Sequence, residues 1–277
     1  MIISPFTPLF FNLPKADGIE SDYIQTFATT DRILLEIIGT PLDRSLIVLL
    51  VSYPNGNTHQ VIQMSQWSIN STTILNFATI SPSPGLYKIY IESHGWWSEP
   101  FRVTDDPLEL ENTTLIQYSM KNNRQRNDAV FFIDRMQYFF DFRVPGGFKD
   151  SDWTFGVECE QFVTGTADIV QLYALDSIQQ KFTLGNSRGC PVWFAALLNR
   201  LLCCDYVYFD GIRYARKESG TPEMNVQLEG VNSFVFTQSL QRVANLDPVI
   251  EERNHLIMRR VNNTDYRQST SNNNRKI

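Results

Sequence analysis

The stretch that decides the fold reads QKFTLGNSRGCPVWFAALLNRLLCCDYVYFDGIRYARK and spans residues 180–217. Its first five residues alternate between polar and apolar, which predicts a strand, and the glycines at 185 and 189 end that strand. Apolar residues then recur at helical spacing, which predicts an amphipathic helix over Pro191–Cys204 that begins at Pro191. The apolar face of this helix consists of Phe194, Leu197, Leu198, Leu201 and Leu202.

Two short β-rich runs, 206–209 and 212–215, flank the dipeptide Asp210-Gly211. Asp-Gly between such runs predicts a tight hairpin with a type I′ turn, because both central residues of that turn need a positive φ. One helix held among strands and a tight hairpin is typical of a packing core. This stretch therefore predicts architecture and not an active site.

The composition of the 277-residue chain is sufficient for two hydrophobic cores, since 43 % of its residues are apolar and 13 % are aromatic. The length favours two domains, and the 19 Phe and 11 Tyr favour strands. A net charge of −6 argues against a nucleic-acid-binding protein. No run of 18 apolar residues occurs, so we expect no membrane-spanning helix, and the N-terminus lacks the basic region of a signal peptide.

Residues 1–103 are predicted to form an immunoglobulin-like β-sandwich preceded by an N-terminal arm. Closely spaced β-rich runs, several of them alternating cleanly, support this interpretation, although the region has no inter-sheet cysteines. The predicted strands are 33–38, 46–52, 60–64, 74–78, 86–92 and 100–103.

An acidic, proline-containing linker is predicted at 104–112, followed by a second β domain at 113–247, a barrel or sandwich with the single flanking helix. Its strands outside the opening stretch are expected at 115–119, 130–133, 137–144, 153–157, 167–175, 224–228 and 234–240. We expect a long acidic loop between the strands at 153–157 and 167–175.

Residues 248–277 form a basic, polar C-terminal arm whose composition is typical of disorder. Such a segment gains order only from a partner, whether a neighbouring subunit or a lattice contact. We expect the same of the apolar, proline-rich first fourteen residues. The arginines predicted to contact a neighbour are Arg253, Arg259, Arg260 and Arg267.

Sequence patterns for catalysis, metal binding or cofactor binding are absent. His59, His94 and His255 have no metal-ligating neighbours at suitable spacing, and no nucleotide, zinc-protease or serine-hydrolase motif occurs. The four cysteines at 159, 190, 203 and 204 suit free thiols in a reducing compartment better than a zinc site. We therefore expect no cofactor and no metal.

Four acidic residues, Asp150, Asp152, Glu158 and Glu160, cluster in sequence around Trp153 and Phe155, a pattern that resembles a sugar-binding groove. Paired carboxylates beside an aromatic side chain are found in glycosidases, so hydrolysis of a sugar is one interpretation. A solvated acidic loop is the simpler interpretation, and we expect no enzyme activity.

Three further side chains are candidates for contact with a partner. Trp96 and Trp97 lie at the tip of a predicted hairpin, where we expect one to pack inward and the other to offer a surface for a sugar ring or a protein. Arg213 alternates with Ile212 and Tyr214 on its strand, which predicts an exposed or inter-subunit guanidinium.

The second region resembles phage tail-tube and distal-tail proteins in its strand 181–184, its helix, its Asp210-Gly211 hairpin and its closing strands. The whole chain also resembles uncharacterised structural proteins of Bacteroidetes phages and prophages in the stretches LIQYSM, FRVPGGF and GCPVWFAALLNRLL. The resemblance implies ring formation rather than catalysis. One departure is that distal-tail proteins usually place the ring-forming barrel first, whereas here the sandwich comes first.

These observations predict a non-enzymatic component of a phage tail or baseplate, made in the host cytoplasm and found in the virion. Its expected partners are copies of itself in a cyclic ring and other tail proteins, with the terminal arms lacing neighbouring subunits. The alternative is a carbohydrate-binding or adhesion module of a cell surface or virion that contacts host glycans.

Overall fold

The computed structural model describes residues 1–11, 23–41, 46–119, 139–185, 189–217, 223–228 and 233–243. Residues Met1–Arg242 form one compact unit. The strand predicted at 130–133 and the C-terminal arm with Arg253, Arg259, Arg260 and Arg267 lie outside the described residues. The predicted limits of the two domains remain predictions.

The described residues up to Thr104 form ten strands in two sheets. Their bounds are β1 Ile2–Ile3, β2 Gln25–Ala28, β3 Ile33–Gly39, β4 Val48–Ser52, β5 Thr58–Ile62, β6 Ser65–Ser68, β7 Ile74–Ile80, β8 Gly85–Ile91, β9 Trp96–Trp97 and β10 Phe101–Thr104. One sheet has the order β1-β3-β7-β6, and the other has the order β2-β10-β8-β4-β5 with β9 beside β8.

This strand order is that of an immunoglobulin-like sandwich. The first sheet corresponds to strands A-B-E-D, and the second corresponds to G-F-C-C′ with β2 added to strand G. Strand β2 runs parallel to β10, whereas every other pairing in the two sheets is antiparallel. The predicted immunoglobulin-like sandwich is therefore confirmed.

A tyrosine at the start of β8 fixes the corner between the two sheets. Tyr87 is buried, and its hydroxyl donates to the Ser83 carbonyl at 3.0 Å. This is the tyrosine corner of immunoglobulin folds, in which the second cysteine of the inter-sheet disulfide follows two residues later. Here that position holds the fully buried Ile89, so apolar packing replaces the disulfide.

The remaining strands form a closed barrel. Their bounds are β11 Thr113–Ser119, β12 Phe140–Val163, β13 Ile169–Leu184, β14 Tyr206–Phe209, β15 Ile212–Arg216, β16 Glu223–Leu228 and β17 Ser233–Arg242. The order β13-β12-β11-β14-β15-β17 closes because β17 also pairs with β13, and β16 extends from β17. All these pairings are antiparallel. The prediction of a mainly β second region is confirmed.

Two helices accompany the strands, α1 at Pro107–Leu110 and α2 at Val192–Leu201. Helix α2 packs into the barrel core through the apolar face predicted from its spacing. Pro191 caps the helix rather than forming its first turn, and Asp210 and Gly211 both have positive φ as a type I′ turn requires. None of the described helices is long and apolar enough to cross a membrane.

The N-terminal segment lies within the chain's own cores. Phe6 is fully buried in the barrel-side core, where its carbonyl accepts from the Tyr118 hydroxyl, and Leu9 is buried in the sandwich core. The expectation that the first residues contact a neighbouring subunit is therefore wrong for Phe6 and Leu9, whose side chains are covered by the chain itself. Ile2, in contrast, is 64 % exposed.

A buried ion pair also joins the turn between β2 and β3 to strand β12. The Arg143 guanidinium on β12 contacts both carboxylate oxygens of Asp31, at 2.7 and 3.0 Å, and the Asp31 side chain is completely buried. The neighbouring Asp141 accepts from the backbone N–H of Arg32 at 2.9 Å and from the Gln117 amide at 2.7 Å. The buried carboxylate of Asp31 is thus paired with a charged guanidinium, and the buried carboxylate of Asp141 is hydrogen-bonded to neutral groups.

Candidate self-association surface

Strands β12 and β13 continue beyond the barrel as a two-stranded ribbon. We define the ribbon as residues 153–179, which comprise the outer parts of both strands and the turn at 164–168. Pairing runs from Trp153↔Gln180 to Val163↔Ile169, and the pairing of β13 with β17 ends at Ile178↔Arg242. The acidic loop expected after residue 157 is therefore wrong, because the polar–apolar alternation continues as strand through Val163.

The turn of the ribbon is closed by its own polar groups. The Thr164 N–H donates to the Asp168 carbonyl at 2.8 Å, and the Asp168 N–H donates to the Thr164 hydroxyl at 3.1 Å. Ala167, expected to begin a strand, instead has a φ of 63° within this turn. Local hydrogen bonds of this kind end the strand and return the chain.

One face of the ribbon is apolar and exposed. Directly paired residues of an antiparallel ladder point to the same side, so alternate positions of β12 and their partners share a face. Phe155 is 74 % exposed and Val157 is 66 % exposed. The apolar members of this face are Trp153, Phe155, Val157, Cys159, Val163, Ile169, Ala174 and Ile178, and its polar members are Gln161, Gln171 and Asp176.

The opposite face is more polar. It carries Thr154, Gly156, Glu160, Ser177 and Gln179, together with the exposed Phe162, Tyr173 and Leu175 and the half-buried Val170. The exposed Leu172 is unpaired at a bulge, where the register shifts between Glu160 and Gln161. The opposite face is thus the more polar of the two, and it also exposes apolar side chains.

The apolar face continues the interior surface of the barrel. Leu184 and Phe182 point into the barrel core, and Gln180, on the same side of β13, is buried and accepts from the Tyr214 hydroxyl. Beyond this point no element in the part of the chain that the structure describes covers the same alternation. Trp153 and Phe155 stack on each other, with ring centroids 5.9 Å apart and an interplanar angle of 25°.

The ribbon is long, and its apolar face exposes a large area for a monomeric protein. Eleven residues per strand at about 3.3 Å each give a length of roughly 35 Å. Its apolar face exposes roughly 500 Å² of side-chain surface, at the upper end of what monomeric proteins leave uncovered. Before the pairing of β13 with β17 begins at Ile178, neither outer strand edge pairs with another described strand. An isolated two-stranded hairpin has marginal stability in water. These properties are typical of an interaction surface.

The ribbon is also strongly acidic. Between residues 153 and 178 the sequence has Glu158, Glu160, Asp168 and Asp176 but no Lys, Arg or His. Asp176 lies directly opposite Val157 within the apolar face and is exposed. A partner surface must therefore accommodate a carboxylate among apolar side chains.

Trp96 and Trp97, predicted from the sequence, lie on β9 at the edge of the sandwich. Trp96 packs against the sandwich core, as expected for one of the pair. Trp97 is 42 % exposed and stacks on Tyr90, with ring centroids 4.3 Å apart and an interplanar angle of 24°. The pair therefore presents one accessible indole.

Arg213 is held within its own chain. Its Nη2 donates to the Asp205 carbonyl at 2.9 Å, and its guanidinium lies 5.0 Å from the centroid of the Tyr206 ring. The side chain is half-buried, and its contact with a neighbouring subunit remains a prediction.

The acidic cluster proposed for a glycosidase does not form a loop-borne pair. Residues 150, 152, 158 and 160 all lie on strand β12, and Glu160 is exposed on the ribbon. Within the described ranges no group of three or more His, Cys, Asp or Glu side chains could hold a metal ion. All four cysteines are free, as predicted, and burial raises the pKa of the Cys190 thiol to about 12.

Two carboxyls elsewhere, the buried Glu36 and the more accessible Asp210, have perturbed pKa values of structural origin. Burial raises the pKa of Glu36 well above its usual range, and one of its carboxyl oxygens has no hydrogen-bond partner. Burial also raises the pKa of Asp210, against the opposing effect of the hydrogen bond that it accepts from the Leu115 N–H at 2.9 Å. Asp210 thereby ties the type I′ turn to strand β11.

Comparison with known proteins supplies no family. No protein-family model matches the chain, and no curated protein is similar to it. Among solved structures, the chain is similar to the crystal structure of Dpr2 Ig1-Ig2 in complex with DIP-Theta Ig1-Ig3, at 8 % identity and a TM-score of 0.18, covering 87 % of this chain and 91 % of that chain. At that TM-score the likeness carries no argument, so the immunoglobulin-like assignment rests on the strand order.

Proposed function

We propose that this protein is a non-enzymatic structural subunit that assembles with copies of itself into a closed ring. The observation that carries the proposal is the ribbon, whose apolar face continues the barrel interior and is covered by no element among the described residues. Burial of roughly 500 Å² of apolar surface per subunit supplies a driving force for association. Cyclic closure is the usual outcome when identical subunits associate through two different surfaces.

The ring belongs to the tail or baseplate of a tailed-phage virion in this proposal. Support comes from the resemblance of the second region to tail-tube and distal-tail proteins and from its closed barrel with one packed helix. Other tail proteins are then its further partners, and the virion is its location after synthesis in the host cytoplasm. The basic C-terminal arm is proposed to contact neighbouring subunits.

The test is the native mass of the full chain, measured by light scattering over a range of concentrations. The double variant Phe155→Ser/Val157→Ser removes apolar surface without touching the buried core, so it should fold but remain monomeric. Thr154→Ser/Glu160→Ser on the opposite face is the matched control and should assemble as the wild type does. A wild-type chain that is monomeric at every concentration, with a protease-resistant ribbon, would contradict the proposal.

A carbohydrate-binding module is the second candidate, favoured by the exposed indole of Trp97 stacked on Tyr90. An indole face of this kind can pack on a sugar ring. Saturable glycan binding that is lost in Trp97→Ala would support this function. A glycan array with no signal above background would remove it.

A further inference from the structure

A second exposed apolar surface lies on the sandwich. It is the outer face of the β9-β8-β4-β5 part of the sheet, which we call the sheet patch. Its exposed members are Ile47, Tyr53, Val61 and Trp97, and its half-buried members are Leu49 and Tyr90. The register places Val61, Leu49, Tyr90 and Trp97 in one row across four strands.

The sheet patch carries one central positive charge. Lys88 lies on the outer face of β8, because its neighbours Tyr87 and Ile89 point into the sandwich core. Its ammonium lies 4.7 Å from the centroid of the Tyr53 ring, which holds the charge at the sheet surface. Among the described side chains of β4, β5, β8 and β9, Lys88 is thus the single cation, whereas the apolar face of the ribbon has a single anion, Asp176.

We propose that the apolar face of the ribbon in one copy packs on the sheet patch of a neighbouring copy, with Asp176 opposite Lys88. This contact rests on the proposed ring and identifies the surface that receives the ribbon. Two sheets pack face to face about 10 Å apart, a geometry that an apolar ribbon and an apolar sheet face can both adopt.

Charge decides between this contact and the self-complementary alternatives. Packing two ribbons face to face would bury two Asp176 carboxylates and bring together two strands that have no basic residue. Packing two sheet patches would bury two Lys88 ammonium groups in the same way. Like charges in a buried interface oppose association, whereas Asp176 with Lys88 is complementary.

The areas are adequate for a specific contact. The exposed apolar side chains of the ribbon offer roughly 500 Å², and those of the sheet patch offer roughly 350 Å². With their polar rims, the two surfaces together reach the approximately 1,000 Å² that a specific interface needs. Because the two surfaces differ, each subunit gives one and receives the other, and this head-to-tail contact forms a ring when the rotation between neighbouring subunits closes.

A charge-reversal cycle tests the contact in the full-length chain. Asp176→Lys and Lys88→Asp should each raise the concentration at which half the chains are assembled by about tenfold or more, since each variant opposes two like charges. The double variant Asp176→Lys/Lys88→Asp should return that concentration to within about threefold of wild type. Glu160→Lys on the opposite face of the ribbon is the matched control and should have a smaller effect that Lys88→Asp does not reverse. Circular dichroism of each variant establishes that it is folded.

The outcomes separate this contact from the ring itself. A wild-type assembly that neither single reversal weakens, or that the double variant fails to restore, would overturn the contact while leaving the proposed ring in place. Stronger assembly of Asp176→Asn than of wild type would point to ribbon-on-ribbon packing and would also overturn it. A wild-type chain that remains monomeric would overturn the ring and the contact together.

Discussion

Strands β12 and β13 have inner and outer halves with the same alternation and opposite surroundings. In the barrel, Phe142, Val144, Phe182 and Leu184 are almost completely buried, whereas in the ribbon the equivalent face exposes Phe155 and its neighbours. The inner halves are covered by other strands and by α2, and the outer halves are covered by nothing in the chain's described residues. Alternation therefore predicts that a face will be covered, but not whether the cover comes from the same molecule.

The largest expected effect contrasts one phenylalanine from each half. Phe182→Ala removes a fully buried ring that contacts Phe148 and Phe209, and it should lower the free energy of unfolding by about 3–5 kcal/mol. Phe155→Ala removes an exposed ring and should change it by less than about 0.5 kcal/mol in the monomer. Urea denaturation at low protein concentration measures both values. Equal losses would show that the ribbon is covered within one chain.

The ion pair between Asp31 and Arg143 provides the next contrast, because the ribbon has no corresponding anchor. Asp31→Asn keeps the shape of the side chain but leaves the Arg143 guanidinium without its anionic partner in a largely buried site. We expect a loss of about 1.5–3 kcal/mol in the free energy of unfolding. Arg102→Gln, at the exposed pair with Glu109, is the control and should cost less than about 1 kcal/mol. Similar losses for both variants would contradict the role given to burial.

The smallest effect concerns a buried carboxyl and depends on pH. Burial raises the pKa of Glu36 in the folded state, so the folded protein favours the protonated form. The associated stability is fully present below the unfolded pKa of about 4.3 and is lost as pH rises through the folded pKa. Glu36→Gln stays neutral and should therefore raise the Tm by a few degrees at pH 8 and change it little at pH 4.5. Thermal unfolding at the two pH values checks this, and a larger gain at pH 4.5 would contradict the sign.

Much of the fold follows from local patterns in the sequence. The helical spacing from Phe194 to Leu202, the Asp210-Gly211 turn and most strands of the sandwich were predictable because each depends on neighbouring residues. The short strand β2 was not, since it is defined by parallel pairing with β10 far along the chain. Barrel closure through β13 and β17 was likewise beyond the sequence, because it is a long-range pairing.

The candidate site was partly visible in the sequence. Trp153, Phe155 and Val157 were recognised as a strand, and the continuing alternation through Cys159 was the signal that the strand goes on. The acidic residues at 158 and 160 led instead to the expectation of a loop, although polar residues on the outer side of a strand are ordinary. The exposure of the apolar face could not be predicted, because it depends on the absence of a covering element in three dimensions.

The protection of Cys159 from thiol labelling tests most directly whether the ribbon is a subunit contact. Cys159 lies on the apolar face of the ribbon and is exposed. Cys203, which follows α2 and is also exposed, serves as an internal control. Labelling of the full chain with a maleimide, followed by mass spectrometry of its peptides, gives both rates at concentrations above and below assembly. We predict that assembly slows the labelling of Cys159 at least about tenfold and leaves Cys203 unchanged. An assembled chain in which both cysteines react at their dilute-solution rates would contradict a contact through the ribbon.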